Sequence, residues 1–421
     1  MILYLVAALV VYISYKIYTW TRCPDEIKHL PSLPFWSYFR LSLSDESFTE
    51  KMKKEFQPMF DEYGIVRAFT HFGWSVLISD PKLCKEVSVK HEIFVKQSFS
   101  EAQFSENLTK FFGVSQVLSN NGAEWKRHRK VINPIFNQSW NTELFGECAR
   151  DVINDWEKHA GGEIKVDDNI QRMTLDVFGK AIFDINFKSV EDKSSRLYHL
   201  YNDITEKVLG QAMYIVAPFM DNMPYFSRPK LRQQLNEYHE FIEEMMELKK
   251  KQYYEGTEKS KDLITAFIES NEKEGEFKLT NDEIRDNIAM FILAGHDTTS
   301  NTLTSTLYYL ARYPEIQDKL RKEVLEALGH PTELTTPTID QLKNVPYMDL
   351  VNKESMRIMT TTASLQRYAA QTHTLSNGVT IPKNTQVLLH LWGLHHSSAF
   401  SKPDEFNPER FSDAHGEESR N

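Results

Sequence analysis

Residues 291–300 read Phe-Ile-Leu-Ala-Gly-His-Asp-Thr-Thr-Ser, inside the longest helical pattern of the chain, residues 281–312. At 1.5 Å per residue that pattern makes a rod of about 48 Å. Thr280 precedes it, and Asn281, Asp282 and Glu283 are acidic or capping residues suited to a helix N-terminus. The stretch Ile288–Ala294 is apolar on nearly every side, which predicts burial all round. Gly295 then costs about 1 kcal/mol against alanine in a helix interior. Small residues at Ala294 and Gly295 would let something flat and large lie against that face. A helical threonine can bond its hydroxyl to the carbonyl one turn back and loosen the ladder. Asp297 beside Thr298 offers a carboxylate and a hydroxyl for moving protons. The same hexapeptide also suits a helix that only packs tightly through small residues.

Three further constellations lie outside this helix. Glu354 and Arg357 are spaced i, i+3 in Glu-Ser-Met-Arg. Such a pair is commonly a surface salt bridge of little worth. With Arg410, from Phe-Asn-Pro-Glu-Arg-Phe at residues 406–411, it could become a buried ionic cluster. Trp125 and Arg129, in Trp-Lys-Arg-His-Arg, share a helix face at i, i+4, where an indole N–H and a guanidinium together suit a carboxylate. Lys126, Arg127 and Lys130 point elsewhere and form a basic patch, or a solvated charged face. Arg367 is a strand charge ten residues beyond Arg357.

Composition bounds the rest. The chain has 421 residues, 41% hydrophobic and 26% charged, an ordinary globular balance. Its net charge of −10 argues against nucleic-acid binding. Cys23, Cys84 and Cys148 are too few and too dispersed for a disulfide framework or a zinc site. There is no HExxH, CxxC, GxSxG or phosphate-binding loop. Met1–Tyr15 carries no charged side chain, and Lys16 and Arg22 follow. Residues 1–20 therefore read as an N-terminal membrane anchor rather than a cleaved signal peptide. Prolines 24, 31 and 34 make residues 21–45 a stiff hinge, and residues 46–421 form one domain. Helical patterns fall at 46–63, 82–90, 122–132, 141–159, 171–185, 195–215, 230–255, 261–270, 315–328 and 346–358. Residues 95–118 read as irregular. Strands are expected at Ile65–Phe72 and Trp74–Ser79 around Gly73, and at Gln366–Gln371 and Thr385–His390 with Asn377-Gly378 as the turn between them. The fold class is mainly α with a small β portion.

In their order and spacing, the motifs at 125–129, 294–299, 354–357 and 406–411 resemble the cytochrome P450 family, in its membrane-anchored type. The resemblance implies a haem monooxygenase that inserts one oxygen atom from O2 into a small apolar substrate. Haem b would be its cofactor, and a flavoprotein reductase would supply electrons from NADPH. Membrane lipid would be a second partner and nucleic acid none. A single-pass chain in the endoplasmic reticulum membrane would face the cytosol. On this resemblance Asp297 and Thr298 manage protons. Trp125, Arg129 and Arg367 hold the haem propionates, and Ala294 and Gly295 lie against the ring. Glu354, Arg357 and Arg410 form a structural cluster. Phe104–Val117, Phe291, Ala294 and Thr361–Leu365 line the pocket, and His395-His396 is structural. The family's Phe-x-x-Gly-x-Arg-x-Cys loop does not follow Phe411, and the final helix and strands that come after it are missing too. The chain therefore reads as cut before its axial cysteine, with no metal ligand of its own. The alternative is a haem-free, non-catalytic product of the same family.

Overall fold

The computed structural model describes residues 21–98 and 104–412 apart from His71, Ala160, Ala212, Ile215, Val216, 258–260 and 273–276, together with Tyr4, Val11, Tyr12, Ser14, Tyr15, Tyr18 and Thr19. The expected anchor over residues 1–20 thus lies largely outside the described residues. Among these, no helix is long and apolar enough to cross a membrane. The chain divides into two compact units. One comprises residues 1–97 and 362–404; the other comprises 98–361 and 405–420.

The first unit is built on a five-stranded sheet. Its strands are β1 (Ile65–Thr70), β2 (Gly73–Ile78), β3 (Phe94–Val95), β4 (Leu365–Ala369) and β7 (Gln386–Leu389), in the order β1-β2-β7-β4-β3. A separate hairpin pairs β5 (His373–Thr374) with β6 (Thr380–Ile381). The expected β1–β2 hairpin is present, but Gly73 opens β2, paired with Thr70, instead of separating the strands. β2 and β7 run parallel, with Ser75 opposite Gln386 and Ile78 opposite Leu389. Side chains alternate across a strand, so one face collects Ile65, Val76, Ile78, Val387 and Leu389 over Leu83 and Val87. The other collects Val66, Ala68 and Leu77 over Met52, Phe56, Phe60 and Trp392. Both faces are buried. His396 belongs to this unit, its ring stacked 4.2 Å from Trp392. One sequence expectation needs correction. Asn377-Gly378 does not join β4 to β7; it closes the smaller β5–β6 hairpin, where Gly378 takes φ +86°.

The second unit is helical around the central helix Asn281–Arg312, whose ends match the sequence pattern. Thr280 and Glu283 form a reciprocal cap: the Thr280 hydroxyl accepts from Glu283 N at 3.2 Å, and the Glu283 carboxylate from Thr280 N at 2.9 Å. Helices Gly122–Phe136, Val166–Phe178, Arg196–Leu209, Pro229–Glu255 and Leu263–Glu272 surround one apolar core, and helix Thr142–Lys158 lies outside that cluster. The helix pattern expected at 171–185 begins earlier, at Val166, and its last turn widens into a π-helix over Gly179–Phe183.

Residues 95–118 are not irregular throughout. A helix spans Glu106–Phe112, capped by Ser105, whose hydroxyl accepts from Leu108 N at 3.2 Å. Gly113 ends it at φ +79°, packed so closely on Asp286 that a Cβ would lie 2.5 Å from Asp286 Cβ. The Asp286 carboxylate then accepts from the backbone N–H of Val114 (2.8 Å) and Ser115 (3.2 Å), and Asn287 Oδ1 from Val117 N (3.0 Å). The central helix thus holds a loop that cannot pair its own amides. Asp286→Ala should cost about 1–3 kcal/mol for the stranded donors. Hydrogen exchange at Val114 and Ser115 should accelerate while that of the central helix stays slow; unchanged protection at both amides would refute this anchoring.

Candidate functional site

The burial of the central helix changes half-way along. Ile288, Ala289, Met290 and Ile292 are buried, then Ala294, Thr298 and Thr299 are exposed. The expectation of burial all round Ile288–Ala294 holds through Met290 and at Ile292, while Phe291 and Leu293 are half-buried and Ala294 is exposed. Helical geometry explains the change. His296 is fully buried, and residues two positions away lie about 200° round the helix. Ala294 and Thr298 are therefore both turned from the core. Thr298 Oγ1 donates to the Ala294 carbonyl at 2.6 Å. Thr302 and Thr306 repeat the bond to Thr298 O and Thr302 O, at 2.8 and 2.9 Å. Three successive back-bonds weaken this stretch of ladder relative to an alanine helix.

Gly295 does not lie open to a flat ligand as expected. A Cβ there would fall 2.2 Å from Phe178 Cε2, so the phenyl ring fills the space a side chain would need. Small size at 295 serves helix packing, while the exposed small residue is Ala294. Phe291, expected in the pocket wall, stacks on Phe136 at 5.3 Å. Asp297 has two close neighbours, of which only Tyr201 is hydrogen-bonded to it. Tyr201 donates its phenol proton to Oδ2 at 2.6 Å, and Oδ1 lies 3.2 Å from His296 Nδ1. Tyr201 carried no signal in the sequence that would have joined it to this site, since its contact comes from helix packing, whereas His296 lies inside the motif itself.

Trp125 and Arg129 share a face of helix Gly122–Phe136, the guanidinium 5.9 Å from the indole centre. Arg129 is exposed, with no carboxylate at ion-pair distance among the described residues. Arg127 does not belong to an open basic patch. It is bound to Glu124, Glu283 and the Lys278 carbonyl, and its two carboxylates hold its pKa above the usual arginine value. Only Lys126 and Lys130 of that patch remain exposed. The same guanidinium occupies the cluster of Glu124, His128 and Glu283, the one group of described residues close enough to hold a metal ion. Burial lowers the His128 pKa, and its Nδ1 lies 2.8 Å from Asn287 Nδ2.

In the sheet unit, Arg367 is half-buried on β4 and donates to the Gln366 carbonyl at 2.7 Å. Burial lowers its pKa, and no described carboxylate compensates it.

Glu354 is wholly buried and gathers four donors. Arg357 gives Nε at 2.7 Å and Nη2 at 2.9 Å; Arg410 gives Nε at 3.1 Å; Asn407 gives its backbone N–H at 2.9 Å. Both guanidiniums also reach the Glu405 carbonyl, at 3.3 and 3.2 Å. Phe406 stacks flat on Tyr309 of the central helix at 4.6 Å. The Pro408–Phe411 turn is thereby fastened to helix Pro346–Ile358.

A profile described as Cytochrome P450 matches residues 30–421. The chain belongs to that family. Among curated relatives it is 26% identical to human cytochrome P450 4Z1, covering 76% of this chain and 66% of that protein. It is 30% identical to mouse cytochrome P450 3A16, covering 80% of this chain and 67% of that protein. The chain thus spans about two thirds of the length of these relatives. The crystal structure of the cytochrome P450DA heme domain superposes with a TM-score of 0.75 at 20% identity, covering 91% of this chain and 82% of the other. That likeness establishes the P450 fold, mainly α with a small sheet portion.

Haem is the cofactor this family implies, and the residues present fit part of it. Arg129 in the helical unit and Arg367 in the sheet unit are each cations with no described carboxylate at ion-pair distance, the charge a carboxylate-bearing group needs. The axial donor is not matched. All three cysteines are buried; Cys84 donates to the Ile78 carbonyl, and burial pushes its thiol up to about 12. A thiolate is the ligating form, so these thiols are poor donors.

Two expectations follow. The 421-residue chain, reduced under carbon monoxide, should show no thiolate-type absorption band; a clear band would mean one of these cysteines ligates. Arg357→Ala should cost about 3–5 kcal/mol, because it leaves a buried charge cluster incomplete. Melting within a degree of the parent would show the cluster is dispensable.

Proposed function

We propose that the whole protein is a haem-thiolate monooxygenase that inserts one oxygen atom from O2 into a small apolar substrate. Its electrons would come from NADPH through a flavoprotein reductase. The observation that carries this reading is the exposed Ala294–Thr298 turn, with its hydroxyl bonded back to Ala294 O and the Asp297 carboxylate alongside. The reading is also supported by family membership.

When bound, haem would supply the activation of O2 for attack on a C–H bond. Its thiolate would come from a cysteine other than the three buried here. Trp125, Arg129 and Arg367 would hold the propionates. Thr298 would hold a water or pass a proton through its hydroxyl, since its back-bond can be exchanged for another acceptor. Asp297 would supply that proton, and Ala294 would keep the face open. Lys126 and Lys130 would attract an acidic reductase, with a salt-sensitive association rate. Residues 1–20 would anchor the chain in the endoplasmic reticulum membrane, followed by a hinge at 21–45. That reading draws on the uncharged Met1–Tyr15 run and on Lys16 and Arg22 behind it.

The test uses a chain extended through a cysteine loop. Thr298→Ala should retain haem and substrate binding while diverting reducing equivalents to hydrogen peroxide. Asp297→Asn should slow turnover by about tenfold or more through lost proton supply. Normal product yield per NADPH in Thr298→Ala, with peroxide at the parent level, would overturn the proton-handling role of this turn.

A further inference from the structure

Helix Gly122–Phe136 packs directly on helix Leu263–Glu272, and a cavity of about 330 Å³ lies between them. That volume falls at the lower end of the about 300–1,000 Å³ typical of small-molecule sites. Pro134 lies inside the first helix, has no N–H for the Lys130 carbonyl, and crowds that carbonyl with its ring. Lys130 and Pro134 both line the cavity, so the irregular turn of the helix and the gap coincide.

The lining is largely apolar. Val131 and Ile135 are buried on one wall, Ala266 faces them from the second helix, and Phe277 keeps 41% of its surface open. Two hydroxyls also line the cavity, and both are engaged within the fold. Thr265 Oγ1 donates to Asp262 Oδ2 at 2.7 Å, and Ser270 Oγ donates to the Phe277 carbonyl at 3.2 Å. The walls are held in place. The Asn271 side chain donates to the Leu279 carbonyl at 2.8 Å and accepts from Leu279 N at 2.9 Å, which keeps the segment bearing Phe277 on its helix. Asp262 accepts from the Ile264 and Thr265 amides and pairs with buried Lys249 at 3.2 Å, which fixes the start of that helix.

Charge in the lining is confined to Lys130, Lys261 and Glu269. Lys130 and Lys261 are exposed, and neither has a carboxylate at ion-pair distance among the described residues. Glu269 is the one acid, and it is engaged. Two cations against one engaged carboxylate leave the rim positive, in a chain whose net charge is −10. A neutral apolar molecule would leave both lysines without a partner. A compact polyanion would leave the apolar walls uncovered.

We infer that this cavity is a binding site for a small monocarboxylate with an apolar body. Its head lies between Lys130 and Lys261, and its body lies against Val131, Pro134, Ile135 and Phe277. The site belongs wholly to the helical unit and does not depend on the proposed reaction. A ligand seated between two packed helices binds the folded chain and raises its melting temperature by linkage.

The probe is 4-phenylbutyrate, with 4-phenylbutanol as its uncharged counterpart, added to the 421-residue chain in lipid nanodiscs. Expected are a melting temperature that rises with 4-phenylbutyrate concentration and saturable shifts of the Val131 and Ile135 methyl signals in a 13C-methyl-labelled chain. The alcohol should bind more weakly. The double variant Lys130→Gln, Lys261→Gln changes exposed positions alone, so it should keep the parent fold. It should bind the acid about three- to tenfold more weakly and the alcohol as the parent does. Lys126→Gln, one turn before Lys130 and outside the lining, should bind the acid as the parent does. Equal affinities for acid and alcohol, or a double variant that binds the acid as tightly as the parent, overturn the anionic head. A loss in Lys126→Gln as large as that in the double variant means a diffuse field and overturns the seat between Lys130 and Lys261. Absence of shifts at Val131 and Ile135 overturns the site itself, whatever the thermal response.

Discussion

Burying one imidazole sets the rotation of the central helix. His296 reaches the Gln171 carbonyl of the neighbouring helix, and the Phe178 ring fills the place beside Gly295. With the helix fixed about its axis by these two contacts, the positions of Ala294, Asp297 and Thr298 follow from the 100° step per residue. Ala294 and Thr298 face out, and Asp297 lies between the two environments. A side chain at 295 would meet Phe178 and force a turn of the helix, which would rotate the hydroxyl of Thr298 with it.

The same helix serves as the fixed reference for two other parts of its unit. Its first turns hold the 113–117 loop through Asp286 and Asn287. Its last turns hold Phe406 through Tyr309, next to the Glu354 cluster. The carboxylate of Glu354 is deeply buried, yet its four donors leave little unsatisfied. Replacing such a cluster by apolar groups is often neutral in stability, whereas breaking one member is not. Its contribution is therefore to the placement of the 405–411 segment more than to net stability.

Much of this was legible in the sequence, and the reasons differ by element. Helices such as 281–312 and 346–358 were readable because capping residues and proline sit at their ends. The strand pairs were readable from alternation, but the Asn377-Gly378 turn was assigned to the wrong hairpin, since turn chemistry gives local geometry and not the partner strand. Helix Glu106–Phe112 was missed although Ser105 is a good cap, because the segment is short and has no clear apolar period. In the site, Thr298 and its back-bond were predictable from residue type. The filling of Gly295 by Phe178, the neutralisation of Arg127 and the hold on Asp297 were not, because each depends on a side chain more than 90 residues away or on another helix.

Charge pairing separates the groups that complete the fold from those that remain available. Arg127, Arg172, Arg228, Arg357 and Arg410 are matched to carboxylates, and these contacts fix loops and helix ends. Arg129 and Arg367 are not, and Arg367 bears a burial penalty that no described anion offsets. A folded chain that keeps a half-buried cation unpaired is less stable than it would be with an anion bound. By linkage, a ligand carrying carboxylates to that cation must stabilise the native state in proportion to RT ln(1 + [L]/Kd). The sign of that linkage depends only on the buried charge of Arg367 and the charge of the ligand.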